Sequence, residues 1–86
     1  MSGGAGNFRM PDVLKLRLEK QGRGGKSVTV IEGFQVDPLT LEGLLSVLKK
    51  DLGTGGTRKG RNLELQGDQR LKLRPKLAGM GHRVKG

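Results

Sequence analysis

Three stretches hold residue types that could do chemistry: "GRGGKS" at 22–27, "GTGGTRKG" at 53–60 and "QGDQR" at 66–70. Glycines beside lysines suggest a phosphate cradle, so nucleotide-binding patterns are the first to test. A P-loop needs glycine, four residues, then Gly-Lys-Ser/Thr, leading from a strand into a helix. "GGKS" supplies that ending, but the first glycine would fall at position 20, which is Lys20. The β-branched run "SVTV" follows, where a helix N-terminus should point at the phosphate. "GTGGTRKG" fails the dinucleotide pattern as well, with Arg58 in the third glycine's place and a strand-like segment after it. Catalytic groups fare no better. Glu19, Glu32 and Glu64 read as lying on strand faces and Glu42 on a helix, while Ser27 and Ser46 lack a nucleophile-elbow context. The single histidine, His82, has no cue for an orienting partner and reads as solvated. With no cysteine there is neither a disulfide framework nor a thiolate metal site, and one histidine makes an all-protein zinc site improbable. The sequence therefore predicts no enzyme, no metal and no cofactor.

Charge is the stronger signal. Across 86 residues the formal net charge is +9, with 17 Lys and Arg against 8 Asp and Glu. It is unevenly spread: five bases and two acids in residues 1–25, three and four in 26–52, nine and two in 53–86. Such a balance points to nucleic acid ahead of anionic membrane. No long basic amphipathic helix with aromatic anchors is present, nor a signal-peptide or membrane-spanning run, which argues for a soluble, cytoplasmic protein.

The elements that must position these residues are readable by period. Residues 1–12 are Gly-rich and aperiodic, an expected mobile arm, leaving 13–86 as one small domain. "VLKLRLEK" alternates, with Leu14, Leu16 and Leu18 on one side, and "SVTVIEGF" is β-branched. Joined by glycines, they predict a β-hairpin. Asp37 and Pro38 then open a helix, and Leu41, Leu44, Leu45, Leu48 and Leu52 form its apolar stripe. Lys49 and Lys50 suit its last turn, and Gly53 its stop. "NLELQ" alternates again, with Leu63 and Leu65 inward, and Asp68 offers a cap for a second helix. In "RLKLRPKL" the signals conflict. The period is that of a strand, yet Pro75 suits neither a central strand nor a helix interior. "HRVKG" is short enough for an edge strand.

The mode of nucleic-acid contact is narrowed by what is missing. Phe8 and Phe34 are the only aromatics, so no base-stacking platform exists. A KH-type GxxG is formally present in "GRGG", but it joins strands rather than helices. Phosphate contact by basic glycine loops remains, with Arg23 and Lys26 at one and Arg58, Lys59 and Arg61 at the other. Ordinary turns with solvated charges are the bland alternative for either loop alone.

Taken in order, "LRLEKQGRGGKSVTVIEGF", the leucine-rich helix, "GTGGTRKG" and "LELQGDQR" resemble the family of eukaryotic translation initiation factor one and its archaeal and bacterial homologues. The likeness covers roughly residues 13–86. It implies an α+β two-layer sandwich: a mixed β-sheet with two helices on one face, in the order β-β-α-β-α-β. It also implies that 69–79 is a helix capped by Asp68, with Leu73, Leu77 and Met80 on one side. Pro75 is a departure from the family pattern. So is the absence of cysteine near "LGTGGT", which leans toward a bacterial source.

The function implied is non-enzymatic binding to RNA of the small ribosomal subunit near the decoding and peptidyl-tRNA site, in translation initiation or its regulation. Initiator tRNA and other initiation factors are implied partners, and a monomer is the simplest state. Carried onto this chain, the hairpin loop Gly22, Arg23, Gly24, Gly25 and Lys26 would contact ribosomal RNA. The glycine loop Gly55, Gly56, Thr57, Arg58, Lys59 and Arg61 would face the decoding region and tRNA. Gln66, Gly67, Asp68, Gln69 and Arg70 form the signature turn, with Gly67 permitting the bend. Two competing readings stand beside this one: a general basic RNA-binding or RNA-remodelling protein without ribosome specificity, and a module whose sheet face binds protein.

Overall fold

The computed structural model describes residues 13–21 and 25–85. The expected arm over 1–12 lies outside them, as do Gly22, Arg23 and Gly24 of the hairpin loop. Strands β1 (Val13–Gln21) and β2 (Lys26–Glu32) precede helix α1 (Pro38–Leu52). Strands β3 (Gly56–Lys59) and β4 (Asn62–Gln66), helix α2 (Arg70–Gly79) and strand β5 (Arg83–Lys85) complete the order. The sheet runs β3-β4-β2-β1-β5. Only the β1–β5 pairing is parallel, which makes the sheet mixed. The α+β class is the one expected. One element is added to it, because half of the glycine run folds as β3 and pairs with β4.

Strand alternation divides the sheet into two faces. Leu14, Leu16, Ile31, Leu63 and Leu65 point to one side and are buried. They form a single core with Leu41, Leu45 and Leu48 of α1 and Leu73 and Leu77 of α2, so both helices cover that face. Helix α1 lies over the β3 end and α2 over β1 and β5. The other face carries Lys15, Arg17, Glu19, Lys26, Val28, Val30, Glu32, Glu64 and Gln66. Val30 is buried even there. Directly opposite it, Arg17 is held by Glu32, with Nη2 2.8 Å from Oε2, and by Glu19, so its aliphatic stem lies beside the valine.

Helix α1 is capped as its sequence foretells. Asp37 accepts hydrogen bonds from the Thr40 amide (3.0 Å) and hydroxyl (2.6 Å), which hold its carboxyl below the ordinary range. Gly53 ends the helix in the left-handed conformation, φ 64°. Helix α2 departs from expectation in two ways. Gln69, not Asp68, occupies its N-cap position. Its apolar side stops at Leu77, because Met80 stands 44% exposed after the chain has left the helix. Pro75 is accommodated without breaking α2. Both Pro75 and Leu71, whose carbonyl the proline cannot serve, face solvent, where water can take over the missing bond.

Candidate nucleic-acid interface

The signature turn is built where β4 ends beside the start of β2. The Gly67 amide donates to the Ser27 carbonyl at 2.8 Å, and Gly67 itself has φ 83°, the left-handed bend expected of it. Behind the bend sits Thr29, which is fully buried and faces the core side of β2. Its hydroxyl donates to the Gly67 carbonyl (2.7 Å) and accepts from the Gln69 amide (2.8 Å). Two further side chains converge on the Gln66 carbonyl: Thr54 Oγ1 at 3.1 Å and Gln69 Nε2 at 3.0 Å. A buried hydroxyl with both capacities used and a carbonyl bonded twice make this bend rigid.

Asp68 follows immediately. It accepts the Arg70 amide at 3.2 Å, so it still serves the first turn of α2, and its two oxygens hold the Arg70 guanidinium at 2.9 Å each. That clasp draws the Asp68 carboxyl down from 3.8 to about 2 and raises the Arg70 guanidinium, each chiefly through the hydrogen bonds they share. Arg70 is thus a paired cation at the surface, and an RNA phosphate would have to share it with Asp68.

The glycine run does not behave as one loop. Thr54 and Gly55 lie at the same end of the sheet as the hairpin and the signature turn, and the Gly55 carbonyl accepts the Gln66 amide at 2.9 Å. Gly56 pairs with Leu65 so closely that a Cβ there would lie 2.6 Å from the Glu64 carbonyl oxygen, and only glycine fits. The strand then carries Thr57, Arg58 and Lys59 away, at about 3.4 Å per residue, to a turn at Gly60 and Arg61. There the Arg61 guanidinium meets the Gln35 carbonyl at 3.4 Å. The residues expected to form one glycine loop therefore divide between opposite ends of the sheet.

Alternation divides them a second time. Arg58 points to the helix side, where its Nε lies 2.8 Å from Glu42 of α1 and its Nη1 2.8 Å from the Gly60 carbonyl. Its side chain is 26% exposed. Thr57 and Lys59 point to the open side with Glu64, which Lys59 meets at 3.5 Å. Of the hairpin loop, Gly25 and Lys26 are described, and both are exposed. The structure therefore brings Gly25, Lys26, Gly55, Gly56 and the turn from Gln66 to Arg70 together at one end of the sheet and carries Arg58 and Arg61 away from them. Lys59, further along the open face, still borders a hollow shared with Gly56 and Gln66.

Sequence reasoning missed Thr29, Glu42 and Thr54. Thr29 left a signal. In the register that buries Ile31, a threonine at 29 must also be buried, and a buried hydroxyl needs partners. His82 was misread as solvated. It is half-buried and packs edge-on against Phe34, with ring centres 6.1 Å apart. Among the described residues no group of three or more acidic, histidine or cysteine side chains could hold a metal ion, and no helix is long and apolar enough to cross a membrane.

Comparison with known proteins settles what this arrangement belongs to. The family model for translation initiation factor SUI1 matches residues 11–83. This chain is a member of the SUI1 family. Its relatives include a protein translation factor SUI1 homolog of Aeropyrum pernix, 45% identical over 69 residues, covering 80% of this chain and 67% of that protein. The homolog of Hyperthermus butylicus is 44% identical over 73 residues, 85% of this chain and 70% of the relative. An uncharacterized protein of Escherichia coli, YciH, is 38% identical over 73 residues, with 85% and 68% covered. The resemblance read from "GTGGTRKG" and "LELQGDQR" is therefore a true family relationship, and it places the chain among translation initiation factors.

Proposed function

We propose that this SUI1-family chain is a non-enzymatic cytoplasmic factor that binds RNA of the small ribosomal subunit near the decoding and peptidyl-tRNA site. It acts there in translation initiation or its regulation, with initiator tRNA and other initiation factors as neighbours. The observation that carries this reading is the rigid unit of hairpin base and signature turn. Ser27, next to Lys26, is bonded to the Gly67 amide through its carbonyl, and Thr29 fixes the turn from inside. A preorganised turn beside an exposed lysine presents phosphate-binding groups without having to order them on contact. The charge distribution agrees, since the segment from 53 to 86 holds nine bases and two acids.

Co-sedimentation tests this reading. Purified protein is pelleted with separated small subunits, large subunits and whole ribosomes, at near-physiological salt with bulk tRNA as competitor. Saturation at about one copy per small subunit, resistant to tRNA, is the expected result. Indifferent association with every particle, abolished by tRNA, would replace it with the general RNA-binding reading, whose mark is a steep salt dependence.

A further inference from the structure

The open face of the sheet carries a groove that the family's signature turn only borders. One hollow, of about 390 Å³, is lined by Lys26, Ser27, Val28, Gln66 and Gly67. A second, of about 280 Å³, adjoins Thr57, Lys59 and Glu64. Both share Val28 and Gln66, which stand directly opposite each other in the β2–β4 ladder. Together the hollows fall within the roughly 300–1,000 Å³ usual for ligand sites. Their chemistry is ordered: a lysine at each side, an aliphatic side chain in the middle, and beside it a carboxamide. Among the described residues that carboxamide has no hydrogen-bond partner, whereas the Gln66 backbone amide and carbonyl are both satisfied. It rests against Gly55, where an added Cβ would lie 3.3 Å from the Gln66 carboxamide carbon. Glu64 does not make the groove repel anions, because its side chain is only 16% exposed and faces the Lys59 ammonium at 3.5 Å.

Resting on the reading that this face meets RNA, we propose that the groove holds a short unpaired RNA segment. One base lies on Val28 with its edge read by the Gln66 carboxamide, and the flanking phosphates meet Lys26 and Lys59. A single strand fits where a duplex does not, because only an unstacked base exposes its edge to a side chain lying in a shallow groove. A carboxamide offers one donor edge and one acceptor, the pair that adenine complements with its amino group and a ring nitrogen. Adenine offers that pair on both its Watson–Crick and its Hoogsteen edge, whereas unpaired cytosine and uracil offer a donor–acceptor pair on one edge only. Its two-ring face also covers more of Val28, so adenine is preferred over both pyrimidines.

Fluorescence anisotropy with labelled pentaribonucleotides tests this, using oligo-A, oligo-C, oligo-U, an abasic pentamer and a short RNA duplex. The wild-type chain should bind oligo-A roughly five-fold or more tighter than the abasic strand. Gln66→Ala should erase that preference while keeping the abasic affinity, and Lys26→Ala with Lys59→Ala should weaken all strands alike. Titration with oligo-A, but not with the abasic strand, should shift the Gln66 side-chain amide resonances. Because that side chain is exposed, the fold should tolerate its loss, and circular dichroism checks this. Equal binding of oligo-A and abasic strand, preference retained in Gln66→Ala, or tighter binding of duplex would each overturn the proposal. Small-subunit co-sedimentation separates the two readings. Saturable pelleting without any base preference removes the groove proposal alone, whereas base preference without small-subunit pelleting removes the ribosomal reading alone.

Discussion

Thr29→Val replaces the buried hydroxyl with a methyl of nearly the same shape and asks whether that hydroxyl holds the signature turn. In the wild type, Thr29 Oγ1 bonds the Gly67 carbonyl at 2.7 Å and the Gln69 amide at 2.8 Å, and the side chain is fully buried. A net hydrogen bond is worth about 0.5–1.5 kcal/mol, and a group left unsatisfied costs about 1–3 kcal/mol. Gly67 and Gln69 are themselves half-buried, so water can reach part of what valine abandons. The expected loss is therefore about 1–3 kcal/mol, not the sum of two full penalties. For a domain of this size that is a fall in Tm of at least about 4–8 °C. Thr29→Ser keeps both bonds and loses one methyl, about 0.8 kcal/mol of transfer free energy plus a small cavity contribution. The discriminating assay is amide hydrogen exchange at Gln69. Valine should raise its exchange rate well beyond the change in global stability, while serine leaves it in step. Valine as stable as wild type, with Gln69 as protected as before, would show that the hydroxyl is incidental and that backbone pairing alone sets the turn.

Three further outcomes are expected. Leu77→Ala should cost about 2–5 kcal/mol in denaturant unfolding, because the side chain is fully buried, whereas Met80→Ala should cost no more than about 1 kcal/mol. The Asp68 carboxyl titrates at about 2 in the fold against 3.8 ordinarily, so its clasp with Arg70 stabilises fully above pH 4 and is lost as pH falls toward 2. Asp68→Asn should accordingly flatten that part of the stability–pH curve and leave the Arg70 side chain more mobile by NMR. Charge reversal should separate the two basic residues of the glycine loop: Arg58→Glu, which faces Glu42, should lower Tm, whereas Lys59→Glu should lower small-subunit binding more than Tm.

Legibility in the sequence followed the number of independent signals at each site. Helix α1 had an N-cap, a proline, a leucine stripe and a terminal glycine in agreement, and its bounds and buried side follow from them. The leucines of β1 and β4 had only alternation, which sufficed because one face is buried and the period is two. In α2 the period contradicted the structure. Arg70, Lys72, Arg74 and Lys76 alternate with apolar residues as in a strand, and only family resemblance favoured a helix. Packing decides there, since Leu73 and Leu77 reach the core one helical turn apart. His82 was illegible because nothing near it in sequence announces Phe34, a contact made across 48 residues by the return of β5 to the sheet.

The glycine run shows how a local composition can mislead about geometry. Glycine and charge together suggest a mobile loop, yet at Gly56 the missing side chain serves close packing, since the β4 backbone lies where a Cβ would be. Once that residue is a strand position, alternation determines what each successor can do. Thr57 and Lys59 must share the open face with Gln66 and Val28, while Arg58 must face α1. Glu42 then makes Arg58 a tie between strand and helix, and the cations left for a polyanion on the open face are those of the other register. Two adjacent basic residues thus separate into one tied to the helix layer and one on the open face, and the division follows from one close-packed glycine.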